Sequence, residues 1–457
     1  MKKSARIYSG AGPGTVIRDI MPLVDFQEEG ISLDTLKRLI QERLVPHLMN
    51  YDHPAFLSMF NFFPETAARI GAEIALAYNQ GVTNWQVSPG GAVLEEECCR
   101  SLCRLFELGS QADATFMYSG TYANQEAIYL ALHRKAEEHG FDLNQTGLAG
   151  FKDGKQLCIL TSQDAHFSVR QAARILGLGE DSLVFINVDA DRKLEPAHFK
   201  ETIIQMKAEK NIIAAVVTAG TTSTGSIDPI ASAADICGEH HIWLHVDGAY
   251  GLAYALIPEL KPKYAGLDRA DSVSWDPHKQ FGVPIPSSIL FTKNRKDLHR
   301  LAVYGEYFNR RNDPCPNPGL KSPPSTRPLS ALPLAATLRH LGLKKIIQRL
   351  RAPLAAVKEA YAKLQDEPDI QTGHIPDTGI LCFRILIKGA SLEKTNQLQE
   401  NVYKKIMEQG HRTISITKLK DKVFLRLAAL NPHVTSSDLR KTIELSRSLA
   451  KDEIHAG

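Results

Sequence analysis

The apolar positions of this chain change period repeatedly, and the changes mark strands alternating with helices. Short β-prone runs stand at 115–117, 157–161, 184–188, 212–217 and 242–246, followed by strand-like runs at Ser272–Trp275 and Ser288–Thr292. Largely apolar runs this short, of which 212–217 is wholly apolar, fit a sheet covered on both faces. Segments 122–138, 198–210 and Ile230–His240 carry helical spacing between them. Polar residues recur just past the strands: Ser162 to His166 after one, Thr218 to Thr222 after another, and Asp247 after 242–246. This alternation predicts an α/β fold with a mostly parallel sheet, right-handed crossovers and a site along the carboxyl edges of the strands.

The flanks read differently. Residues 1–30 form a tail with a Gly/Pro-rich turn, and 33–49 a helix with Leu36, Ile40, Leu44 and Leu48 on one stripe. A helix at 93–108 leads into the sheet region, and one at 331–350 leaves it. Strands at 379–387 and 422–427 and a helix at 437–450 make a smaller α+β region. The expected division is an N-terminal, dimer-forming arm at 1–90, a large α/β domain at 91–335 and a small domain at 336–457. Residues 301–328 are rich in Pro and Asn with little periodicity, which suits a lid.

Composition narrows the classes without choosing among them. A length of 457 residues exceeds what one core supports, and 43% hydrophobic with 23% charged residues describes an ordinary globular protein. A net charge of +3 gives no case for nucleic acid or an acidic membrane surface. The initial lysines have no apolar run behind them, and nothing approaches the roughly 20 apolar residues of a membrane span. Seven cysteines, odd in number and scattered, suggest reduced thiols and a cytoplasmic location. Cys98, Cys99 and Cys103 share one helical stretch without a second ligand pair at zinc spacing, so no metal site is expected.

The chemistry gathers at two strand ends. Asp247 closes the buried run Ile242-Trp243-Leu244-His245-Val246, where a carboxylate is costly unless it meets a cationic partner. About thirty residues on, Lys279 follows Asp276-Pro277-His278, where the chain turns out of a strand toward the same rim. A paired Lys and Asp here suit pyridoxal phosphate, with the lysine as a Schiff base and Asp247 keeping the pyridine nitrogen protonated. His166 falls on the same rim and is placed to stack on a ring. The turn Tyr118-Ser119-Gly120-Thr121 opens a helix and offers unpaired N–H groups to a phosphate, although Ser119 or Thr121 would serve equally as a plain cap. Hydroxyls at Thr218 to Thr222 can bond a cofactor oxygen or a substrate carboxylate.

Taken in order, DAHFSV around His166, TAGTTSTGSID from Thr218, HVDGAYG from His245 and DPHK ending at Lys279 resemble the pyridoxal-phosphate (group II) amino-acid decarboxylases. That family includes aromatic amino-acid, glutamate, diaminobutyrate and cysteine-sulfinate decarboxylases. HPAF at His53, the segment 85–89 and LRLAALNPHVTSSDL near the end extend the likeness over nearly the whole chain. The resemblance implies fold type I, with a large seven-stranded domain, a small carboxyl-terminal domain and a homodimer with sites at the subunit interface. It implies that Lys279 carries the aldimine, that Asp247 pairs with the ring nitrogen, and that His166 and Ala249 cover the two ring faces. Gly120, Thr121, Asp276 and His278 would hold the phosphate, and Thr222 would sit by the phenolic oxygen or the substrate carboxylate. The implied reaction is decarboxylation of an L-amino acid to its amine and carbon dioxide through a quinonoid.

Departures from the family pattern matter. Ser119 stands where many relatives have a second glycine, and Asp276 where some have asparagine; an anion beside a phosphate is unfavourable. Aromatic members carry a lid tyrosine about ten residues before the position of Arg327, where this chain reads Asn317-Pro318-Gly319 and the nearest tyrosines are Tyr304 and Tyr307. Decarboxylation coupled to oxidative deamination, giving an aldehyde, is therefore an alternative, as is a catalytically idle cofactor-binding protein. A nicotinamide fold fails, since no G-x-G-x-x-G follows a first strand. Met59, Phe60 and Phe62 lean the substrate toward an aromatic or long aliphatic side chain.

Overall fold

Where the apolar runs are short and β-prone, the chain forms strands in a computed structural model that describes residues 6–305, 309–311 and 314–456. These are β1 (Asp113–Met117), β2 (Gln156–Ser162), β3 (Leu183–Ile186), β4 (Lys210–Thr218), β5 (Trp243–Asp247), β6 (Ser272–Trp275) and β7 (Ser288–Thr292). They make one seven-stranded sheet in the order β1-β7-β6-β5-β4-β2-β3. Pairing is parallel from β3 across to β6, and only β7 runs against its neighbours. The expected mostly parallel α/β domain is what forms.

The helix Gly120–Glu138 crosses this sheet. Its Ala123, Ala127 and Ala131 are at most 1% exposed, and small residues at this spacing let the helix lie close to the strands. Ile128, Leu130, Ile159, Val216, Trp243 and Leu290 belong to the core cluster between them. The helix Ile230–His240 matches its expected bounds and ends where His241 turns left-handed at φ 55°. Pro89, well placed in a first turn, starts the next upstream helix earlier than expected, at Pro89–Leu105.

The chain divides into two units, one of Pro64–Arg351 and the other of Met1–Phe63 together with Ala352–Gly457. The arm expected at 1–90 is thus split, because residues 64–90 share contacts with the sheet unit. In the smaller unit, β8 (Ile370–Thr372), β9 (Ile380–Ile385), β10 (Ser415–Leu419) and β11 (Lys422–Ala428) form an antiparallel sheet in the order β10-β11-β9-β8. The early segment is sewn onto it: Leu57 N–H donates to Thr413 O at 3.1 Å and Ala428 N–H to Leu57 O at 2.7 Å. Leu381, Phe383, Leu398, Val402, Leu425 and Leu427 form its core. The expected tail holds a helix, Pro13–Val24, and the helix expected at 33–49 is Leu33–Leu39 followed by a wide turn and a tight one at Val45–His47. Pro46, which has no N–H to donate, accounts for the change of winding.

Part of the segment expected as a lid is fixed in place. Lys321 Nζ meets Glu96 at 2.6 Å and Asp113 at 2.7 Å, and the guanidinium of Arg327 pairs with Glu95, all five groups being largely buried. Charges this buried are tolerated only when paired, so residues 314–328 are tied to the Pro89–Leu105 helix and β1. Tyr304 is partly exposed, and Tyr307 lies outside the described residues.

Candidate active site

Three strand ends converge on one cavity. Asp247 ends β5 with Thr218 of β4 and Ser274 of β6 as its register partners. Immediately after β6 the chain enters the short helix Pro277–Gln280, which lifts Lys279 above the sheet edge. After β1, Ser119 caps the Gly120–Glu138 helix by accepting a hydrogen bond from Tyr122 N–H. The resulting cavity has a volume of about 160 Å³ and is lined by Gly120, Thr121, His166, Thr222, Asp247, Ala249, Asp276, His278 and Lys279. Every residue expected at the site therefore faces the same space. Ser119, Asn124, Thr218, Gly220 and Tyr250 line it too.

Asp247 is 4% exposed, and its recorded partners are all donors. Asn124 Nδ2 donates to Oδ2 at 2.8 Å, while Ala249 N–H and Ser274 Oγ donate to Oδ1 at 3.1 and 3.2 Å. A carboxylate offers about four acceptor sites, so this one retains capacity for a further N–H donor from the cavity. Lys279 Nζ lies 3.1 Å from Asp276 Oδ2, and Ser288 Oγ donates to Asp276 Oδ1 at 2.6 Å.

Burial favours the neutral form of both histidines on the rim. Burial pulls His166 below its usual range, against the opposing pull of Asp247, and burial likewise lowers His278 against Asp276. Ser168 N–H donates to His166 Nδ1 at 3.2 Å, which leaves the proton on Nε2. His278 Nδ1 faces the Ser287 backbone, 2.5 Å from its carbonyl and 3.4 Å from its N–H.

The cavity's shape and its unsatisfied polar group fit a phosphorylated pyridine aldehyde. A Cβ at Gly120 would stand 2.8 Å from Asp276 Oδ2 and 3.0 Å from Ala249 Cβ, so only glycine leaves the helix start open to a ligand. Thr218 Oγ1 is buried without a hydrogen-bond partner among the described residues, on the cavity wall. Together these supply a helix N-terminus for an anion, an acceptor for a cationic ring nitrogen, and an amine.

Asn124 was not anticipated. It sits four residues after Gly120 on the buried alanine stripe, and a polar residue in that register was the available signal.

Comparison with known proteins follows the same lines. The model of the pyridoxal-dependent decarboxylase conserved domain matches residues 13–386. The L-2,4-diaminobutyrate decarboxylase of Rhizobium meliloti (strain 1021) is 29% identical over 465 residues, spanning 98% of this chain and 88% of that protein. The crystal structure of the glutamate decarboxylase domain of diaminobutyrate-pyruvate transaminase and L-2,4-diaminobutyrate decarboxylase from Vibrio parahaemolyticus superposes with a TM-score of 0.88 at 26% identity, covering 99% of this chain and 92% of that one. Oryza sativa TDC, solved with PLP and tryptamine, shares the fold at a TM-score of 0.88 and 20% identity, over 98% and 93% of the two chains.

Proposed function

This chain belongs to the pyridoxal-dependent decarboxylase family, and on that premise we propose that it converts an L-amino acid to the corresponding amine and carbon dioxide, with Lys279 as the residue that carries the cofactor. The observation that supports this most is the meeting of Lys279, Asp247, His166 and the Gly120 turn in one cavity of about 160 Å³. Pyridoxal phosphate, when bound, supplies an aldehyde that captures amines and a ring that withdraws electrons from the substrate's α-carbon.

The chain's own residues do the rest. Asp247, already accepting from three donors, offers its remaining capacity to the ring nitrogen and favours the protonated ring. Gly120 and Thr121 present backbone N–H groups to the phosphate, with His278 beside them, and His166 and Ala249 flank the ring. Asp276 is an acceptor already engaged by Ser288 and Lys279, so its role here is to hold Nζ and not to bind the phosphate. Lys279 would hold the cofactor, and when free its Nζ, steadied by Asp276, would carry protons. Thr222, exposed at the rim, is placed for the substrate carboxylate. With the cofactor bound, these residues would set the orientation of the substrate, and that orientation would decide which of its bonds reacts.

For the substrate, relatives at 29% and 26% identity with diaminobutyrate in their names favour a short, amine-bearing side chain such as L-2,4-diaminobutyrate. The aromatic lean loses support, since Phe60 is stacked under the Arg426 guanidinium at 4.8 Å and Phe62 is buried. Purified protein assayed with pyridoxal phosphate against the common amino acids and L-2,4-diaminobutyrate should release carbon dioxide and one amine in equal amounts. Absence of turnover on every substrate would leave only a cofactor-binding role. Aldehyde and ammonia among the products would favour oxidative deamination, the reading that Asn317-Pro318-Gly319 keeps in play.

The proposal extends to a homodimer in the cytoplasm. No helix among the described residues is long and apolar enough to cross a membrane, and the cysteines are free thiols. The Pro13–Val24 helix buries none of its residues, which suits a surface made for a second copy.

A further inference from the structure

Trp243, His245 and Asp247 occupy alternate positions on β5 and so point to one face of the sheet. An apolar residue at 245 would pack there at lower cost, since a buried imidazole must be satisfied at every polar atom. His245 is satisfied at both. Its Nδ1 lies 2.9 Å from Ser272 Oγ and its Nε2 2.9 Å from Asn124 Oδ1. Trp243 Nε1 donates to the same Ser272 Oγ at 2.9 Å, and Asn124 Nδ2 donates both to Ser168 Oγ at 2.9 Å and to Asp247 Oδ2 at 2.8 Å. Trp243, Ser272, His245 and Asn124 are each at most 1% exposed, so water does not substitute for any of these bonds.

The Asp247 end fixes the polarity of this chain of bonds. An indole N–H can only donate, so Ser272 accepts from Trp243 and keeps its own proton available for His245 Nδ1. The imidazole proton is then on Nε2 and is given to Asn124 Oδ1, leaving the Asn124 amide to donate. At the far end a carboxylate can only accept, and a flipped Asn124 would set its carbonyl oxygen against Asp247. Burial pushes His245 down to about 4, with Asp247 and the Ser272 backbone opposing, so the ring is the neutral donor–acceptor this arrangement requires.

We propose that Trp243, Ser272, His245 and Asn124 form a one-way hydrogen-bond relay that holds the Asp247 carboxylate as an acceptor aimed at the cofactor's ring nitrogen. The relay rests on the reading of Asp247 given above. His245 and Ser272 do not line the cavity, so they act as positioning residues through Asn124.

The test uses holoenzyme reconstituted with pyridoxal phosphate isotopically labelled at the ring nitrogen. The readouts are the NMR shift of that nitrogen, the cofactor's dissociation constant, and the gain in melting temperature on adding cofactor to the apoprotein. His245→Leu should weaken cofactor binding about tenfold, the effect expected when Asn124 is no longer held on the buried Asp247 carboxylate, and move the shift toward the unprotonated value. His245→Gln, whose amide can still donate to Asn124, should restore both. Ser272→Ala, which cuts the relay at its far end without adding volume, should shift both in the same direction, and it carries the test if His245→Leu does not fold. If wild type shows an unprotonated ring nitrogen, or Asp247→Asn behaves as wild type, the reading of Asp247 itself fails. If Asp247→Asn loses the protonated signature while His245→Leu and Ser272→Ala keep it, with affinities within about twofold of wild type, the relay alone is overturned.

Discussion

Glu126 is the residue whose burial has no evident return. It is 4% exposed on the Gly120–Glu138 helix, its Oε1 has no partner among the described residues, and burial pushes its carboxyl up to about 8 from an ordinary 4.5. Between those two values an unfolded chain has released a proton that the folded chain keeps, so the folded state loses stability as pH rises through this window. Glu126→Gln, neutral throughout, should flatten the loss and gain on the order of 2 kcal/mol over wild type at the alkaline end. Denaturant unfolding near the two ends of the window checks it; equal slopes in both proteins would contradict it.

Gly120 makes the opposite case, a position where adding one atom is the problem. Gly120→Ala places Cβ 2.8 Å from Asp276 Oδ2 and 3.0 Å from Ala249 Cβ. Cofactor affinity should fall at least about tenfold with folding retained, as equilibrium dialysis and melting curves would show. At this scale the sequence was most legible where a residue's chemistry was odd for its place: an acid at the end of an apolar strand, a lysine after Asp-Pro-His. Asn124 was not legible, because a polar residue inside a helix usually faces water, and only its register with Ala123 and Ala127 says otherwise.

Among the elements, the 314–328 segment shows what periodicity alone misses. Its proline-rich composition suggests a free lid, yet Arg327 is buried against Glu95, with burial lowering the guanidinium to about 9. Arg327→Leu leaves Glu95 buried without its partner and should cost about 3–5 kcal/mol. The double variant with Glu95→Leu should recover most of that loss, measured by denaturant unfolding; a double variant no better than the single would contradict the pairing. Ser272–Trp275, Ser288–Thr292 and Ile230–His240 were legible because each is bounded by residues that break its pattern. The helix Leu392–Gln409 carries a stripe, Leu398, Val402 and Ile406, behind the cap Ser391, but its charged setting obscures that stripe in the sequence. β10 alternates between buried and exposed positions, a weak signal in a five-residue edge strand.

For the whole molecule, the N-terminal helix carries the clearest expectation. Ile17, Met21 and Val24 are 60%, 53% and 48% exposed, and Phe26 beyond them is 89% exposed. No described residue buries that stripe, so the periodicity of a single chain reads as a tail. The pair Ile17→Asp and Met21→Asp should convert a dimer to monomer in sedimentation and remove turnover with it; a wild type that sediments as a monomer would contradict the dimer.

The central claim is one covalent address for the cofactor. Holoenzyme reduced with borohydride and digested should yield a single peptide bearing the phosphopyridoxyl group, with the modification on Lys279. Label on any other lysine, or label of equal yield in Lys279→Ala, would contradict it.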